Sequence, residues 1–201
     1  MFEVLATYLR KRIEITDDEL ELIRAACAIR AVRKWQPMLQ AGEIWGIKCF
    51  VASGCLRLYR TGTDGKDYTL RFAVDNWWLT DLESYNQGKP SSYNIEALMA
   101  STVIVCPKEK WMELLVKIPA LSKLHETLML NNGEANQRRI FSLISSSAEE
   151  KYNEFKKTYP GIFNRVPLYM VASHLGISRE TLSRLRKEHA KQNKETSSGN
   201  L

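Results

Sequence analysis

The chain has 201 residues, of which 44% are hydrophobic and 26% charged, and carries a net charge of +6. That is enough apolar material for a sizeable core in one large or two small domains, which excludes a disordered or fibrous protein. No run of about 18 apolar residues occurs, and the start, MFEVLATYLRKR, has no basic lead into an apolar stretch, so neither membrane span nor signal peptide is expected and the protein is placed in the cytoplasm.

Residues 1–28 read as helical. In TDDEL, Thr16 is a candidate N-cap with acids in the first turn, and Leu20, Ile23 and Ala26 to Cys27 recur at helical spacing. From Ala31 to Val105 short runs of β-formers are punctuated by Gly42, Gly46, Gly54, Gly62, Gly65 and Gly88. CLRLYR and DYTLRFA flank TGTDGK, whose Asp64-Gly65 is a hairpin turn signal because both residues tolerate positive φ. With no amphipathic helix expected between these strands, an antiparallel barrel or jelly roll is the natural way to bury the sheet faces. Cys27, Cys49, Cys55 and Cys106 lack C-x-x-C spacing, which points to reduced, packed thiols; the short separation of Cys49 and Cys55 leaves a strand-borne redox pair open.

Pro107 closes the strand TVIVC, and a helical pattern runs from there to Lys157. WMELLVKI is amphipathic, and Pro119 suits the first turn of a long second helix. Its residues Leu121, Leu124, Leu128, Ala135, Ile140, Leu143 and Ile144 make an apolar stripe. That stripe fits packing against the barrel, and two heptads are too few to establish a coiled-coil dimer alone. Ser147 then caps a further helix, with Glu149 and Glu150 in its first turn, ending at Pro160-Gly161.

Charge singles out the last segment. Residues 1–106 carry 13 Lys and Arg against 13 Asp and Glu, whereas residues 107–201 carry 16 against 10. From Pro160 onward the balance is 7 to 3, a positive field of the kind that polyanion binding uses. The stretch VPLYMVASHLGISRETLSRLRK reads as two helices joined at Leu175-Gly176-Ile177. Val171, Ala172 and Leu175 make the inner face of the first, and Ile177, Leu182 and Leu185 that of the second. Small Ala172 allows close approach and Gly176 accepts the sharp turn, so this is a helix-turn-helix. Ser178 becomes the N-cap of the second helix. Glu180, Ser183 and Lys187 then lie opposite Leu182, Leu185 and His189, flanked by Arg179 and Arg184. Arginine can bond guanine O6 and N7 bidentately and Glu180 can accept from cytosine N4, while Arg186, Lys187 and Lys191 suit phosphates. The competing role for Glu180 is a helix-dipole contact or an ion pair with Arg184. His174 and His189 read as packing residues, and with His125 remote in sequence no metal set is expected.

On these features the chain resembles the Crp/Fnr family of bacterial transcription regulators, SRETLSR being the recognition-helix signature. The resemblance implies an α+β chain: an N-terminal antiparallel β-barrel or jelly roll of cyclic-nucleotide-binding type (1–118), a long dimerisation helix (119–146) and a C-terminal all-α helix-turn-helix domain (147–201). It implies a homodimer on palindromic double-stranded DNA with TGA-containing half-sites, recognition helices about 34 Å apart, RNA polymerase as a partner, and a possible small-molecule effector. Arg179, Glu180 and Arg184 match the family's base-reading positions, and Ser183 a position some members use.

Three departures stand out. Members that bind cyclic AMP carry Gly-Glu and Arg-Ser in a phosphate cassette; here Leu79-Thr80 and Ser91-Ser92 align with those pairs, so cyclic AMP is not expected. Thr80, Ser91, Ser92 and Trp78 are the candidate ligand residues, with Trp77 and Trp78 either filling the barrel mouth or lining an apolar pocket. The N-terminal cysteine cluster of iron-sulfur members is absent, so no such cluster is expected. The family's β-hairpin wing is not expected after the recognition helix, where the sequence runs into polar KQNKETSSGNL, which reads as a disordered tail. There is no G-x-S-x-G, H-E-x-x-H or glycine-rich phosphate loop, so an enzyme is not expected. The alternative is a cupin-like ligand-binding barrel with an accessory helical protein-interaction domain.

Overall fold

The computed structural model describes the backbone of residues 1–198 and the side chains of residues 1–190. Two short helices open the chain, α1 (Phe2–Arg10) and α2 (Asp17–Ala26). Thr16 caps α2 in a full capping box, its hydroxyl taking the Glu19 N–H while the Glu19 carboxylate takes the Thr16 N–H. Eight strands follow: β1 (Ala28–Val32), β2 (Pro37–Leu39), β3 (Ile47–Ser53), β4 (Cys55–Thr61), β5 (Asp67–Val74), β6 (Trp77–Leu79), β7 (Asn94–Ala97) and β8 (Ser101–Pro107). They form two four-stranded antiparallel sheets, ordered β1-β8-β3-β6 and β2-β7-β4-β5, the jelly roll expected from the strand pattern. Asp64-Gly65 sits in the β4–β5 hairpin, with Gly65 at φ 74°.

One expectation is corrected: the strands are interrupted by a helix, α3 (Leu82–Gln87), between β6 and β7. It is too short to show amphipathic periodicity, but Asp81 caps it and Gly88 ends it in the left-handed conformation. A redox pairing of Cys49 with Cys55 is also not supported by the topology, because these buried thiols lie on different sheets, and burial pushes each up to about 12.

The barrel interior is solid. Leu39, Trp45, Val51, Leu56, Leu79, Tyr85, Ile95 and Val103 belong to one buried cluster. A second cluster outside β3 and β8 receives α1, α2, α4 (Lys108–Lys117) and the start of α5 (Pro119–Ser145). The third joins Cys55, Phe72 and Leu98 of the barrel to α6 (Ala148–Thr158), α7 (Leu168–Leu175) and α8 (Arg179–Ser198). Phe72 meets Phe155, Tyr159 and His174 at centroid distances of 6.1, 5.9 and 5.4 Å. The terminal helices therefore share a core with the barrel instead of hanging from a linker. Helix α8 runs to Ser198, so most of the terminal stretch read as disordered has a helical backbone; residues 199–201 lie outside the described residues.

Candidate functional site

Helices α7 and α8 meet at a turn whose chemistry follows from Gly176. It adopts φ 65°, which ends α7, and the Ile177 N–H returns to the Ala172 carbonyl at 3.1 Å. Of the six residues read as the inner face, Val171, Ala172, Leu175, Leu182 and Leu185 are buried, and the sixth, Ile177, is half-buried against them. Ser178 caps α8 by accepting the Thr181 N–H at 3.1 Å.

Burying Leu182 and Leu185 turns the opposite face of α8 to solvent. Arg179, Glu180, Arg184 and Lys187 are exposed, Ser183 is half-buried beside them, and the Arg184 side chain is 70% exposed. The Glu180–Arg184 pairing is not formed; Arg184 instead faces Glu188 at 4.0 Å. The Glu180 carboxyl is held below its usual range, first by a backbone N–H at the helix start and then by Ser178 and Arg179, which is the helix-terminus contact weighed above. Arg186 is half-buried, its guanidinium 5.2 Å from the Phe163 ring centre, so it sits apart from the outward group. The Lys191 side chain lies outside the described residues. His174 is buried in the aromatic cluster and His189 lies 4.9 Å from the Tyr152 ring, both in packing positions.

The four candidate ligand residues do not converge. Trp78 and Thr80 line a cleft outside the barrel, Ser92 is exposed, and Ser91 is buried against the residue that caps α3. What holds Ser91 there is Asp81, a residue the sequence alignment passed over. Its carboxylate accepts from the Ser91 hydroxyl at 2.5 Å and from the Glu83 and Ser84 N–H groups at 3.2 and 3.4 Å. The N-terminus of α3, which would attract a phosphate, already holds an anion of the chain's own.

Residues 29–117 match the family model of the cyclic nucleotide-binding domain. Among curated proteins, none matches the chain in sequence. Solved structures do match over nearly the whole length. FixK2 from Bradyrhizobium japonicum is 14% identical, with TM-score 0.71 over 83% of this chain and 86% of its own. A protein from Eubacterium rectale, described as a transcriptional regulator of the Crp/Fnr family, is 18% identical, with TM-score 0.65 over 89% and 85%. The Thermus thermophilus catabolite activator protein is 21% identical, with TM-score 0.53 over 89% and 85%. This chain has the Crp/Fnr regulator fold.

Within that fold α5 divides into two unlike halves. The apolar stripe read as one surface is two: Leu121 and Leu124 are buried against the barrel side, while Ile140, Leu143 and Ile144 are 59, 39 and 82% exposed, joined by Leu130 and Phe141 from outside the stripe. Along the second half of α5 lies the cleft that Trp78 and Thr80 share, about 870 Å³ in volume, bounded also by α1, β3, β5 and β6, α6 and the end of α7. It lies where the barrel, α5 and the terminal helices meet.

Proposed function

We propose that this protein is a cytoplasmic, sequence-specific DNA-binding transcription regulator that acts as a homodimer on palindromic sites. The observation that carries the reading is the α8 face: Arg179, Glu180 and Arg184 point outward from one helix start while Leu182 and Leu185 anchor its other side. A helix so presented can enter a major groove, with the guanidiniums and carboxylate on base edges and Lys187 on phosphate. The uncovered apolar half of α5 supports a dimer, because a second copy of the same helix would bury Leu130, Ile140 and Ile144 in an isologous seam. RNA polymerase is the partner this architecture implies. The barrel serves as a sensor, and its cassette is not built for cyclic AMP: Asp81 and Ser91 occupy each other where a buried phosphate needs donors.

Selection from random-sequence DNA on the purified protein tests this. The expected product is an inverted repeat with half-site centres one helical turn apart, bound with an affinity that falls linearly in log salt. Recovery of unrelated sequences, bound alike, would sink the reading.

A further inference from the structure

The cleft beside α5 is lined by six cationic side chains, Arg12, Lys48, Arg71, Arg138, Arg139 and Lys151, against two carboxylates, Glu150 and Glu154. Neither carboxylate neutralises the cleft's interior. Glu150 is spent on the N-terminus of α6, taking the Ser147 N–H and hydroxyl, and Glu154 is exposed.

Arg71 and Arg139 hold the middle of the wall. Arg71 donates to the Asn136 carbonyl oxygen at 2.9 Å; Arg139 donates to the backbone carbonyls of Thr69 and His174 at 3.3 and 3.1 Å. Both are half-buried, and among the described residues neither meets a carboxylate. Among the described residues, the Arg139 Nε and the nearby His174 Nδ1 are buried without a partner. Burial disfavours both guanidinium charges, and Arg71 repels Arg139 further. Two unneutralised cations facing one cavity are costly unless something negative joins them. Around them the walls are aromatic: Trp77 and Tyr159 lie 5.2 Å apart at 32°, with Phe155 beyond.

We propose that this cleft binds a small organic anion with an apolar or aromatic body, its negative group clamped by Arg71 and Arg139 and its body against Trp77 and Tyr159. Thr80 and Leu82, on either side of Asp81, reach this cleft, but Asp81 and Ser91 do not line it, and the two arginines that would clamp the anion come from β5 and α5. Arg139 also ties β5 to the end of α7, so an anion drawn to its free edge acts on the joint that positions the helix-turn-helix.

The inference deepens the sensor half of the proposed function and does not depend on DNA binding, so the assay contains no DNA. Full-length protein is titrated with 1-anilinonaphthalene-8-sulfonate, an aromatic anion, and with neutral N-phenyl-1-naphthylamine, the same body without the charge. Saturable binding of the sulfonate near one per chain is expected, with the neutral dye weaker by about tenfold or more, as one or two charge-assisted forks would give. Arg71→Gln and Arg139→Gln should each weaken the sulfonate by about tenfold and leave the neutral dye unchanged. Should Arg139→Gln fail to fold, Arg71→Gln decides, since its side chain makes one hydrogen bond to another side chain. Equal binding of the two dyes, or sulfonate binding unchanged in Arg71→Gln, overturns the proposal.

Discussion

Arg184 and Lys187 sit one turn apart on α8 and are expected to behave differently on DNA. A base-reading guanidinium lost from Arg184→Ala should cost about 1 to 3 kcal/mol on the selected palindrome and little on random DNA. Lys187→Ala should weaken both alike and reduce the salt slope by about one unit. Filter binding at several salt concentrations separates the two; equal loss on both DNAs for Arg184→Ala would count against base reading. His174 makes a second residue-scale case. Burial, with repulsion from Arg139 and Arg71, pushes its imidazole down from 6.5 to about 3, and burial with Lys48 pushes His125 down to about 4. The folded state therefore binds fewer protons than the unfolded chain below pH 6.5, and stability present above that pH is lost as it falls, by up to about 1.4 kcal/mol per unit per titrating group. His174→Phe keeps a ring in the cluster and should flatten this acid slope in denaturant titrations between neutral pH and about pH 5. An unchanged slope would place the acid sensitivity elsewhere.

At the scale of elements, α5 is the informative one. Its first half is held by the barrel and its second half shows solvent a row of large apolar side chains, the pattern of a helix with a missing neighbour. The pair Ile140→Ser with Ile144→Ser should shift sedimentation from dimer to monomer while leaving the near-ultraviolet signal of the barrel tryptophans in place. A dimer of unchanged stability would show that α5 is not the seam. Periodicity could not separate the two halves, because a barrel face and a partner helix both ask for apolar residues at the same spacing. The two capping boxes, at Thr16 and Ser147, were legible because their hydrogen bonds close within three residues.

Across the whole molecule, the shared core around Phe72 makes the barrel and the terminal helices one cooperative body. Thermal unfolding should show a single transition. Phe72→Ala removes a fully buried ring and should cost about 3 to 5 kcal/mol, splitting the curve into a helical and a barrel step. Persistence of one sharp transition at nearly the same temperature would contradict the coupling. Hydrogen bonds join the same two parts: Ser173 of α7 donates to the Asp67 carbonyl and accepts the Thr69 N–H, both at 3.0 Å, so α7 takes its position from β5 directly.

From the sequence by itself came the jelly roll, the long helix after it, the helix-turn-helix and the outward face of α8, because each depends on spacing within a dozen residues: alternation, helical period, a glycine at a turn. The tertiary structure decided the rest. Asp81 seated against Ser91, Arg71 and Arg139 facing one cleft, and Phe72 reaching into the terminal helices join residues far apart in the chain. No local pattern marks such contacts, since a buried charge or ring is chosen by what packs opposite it.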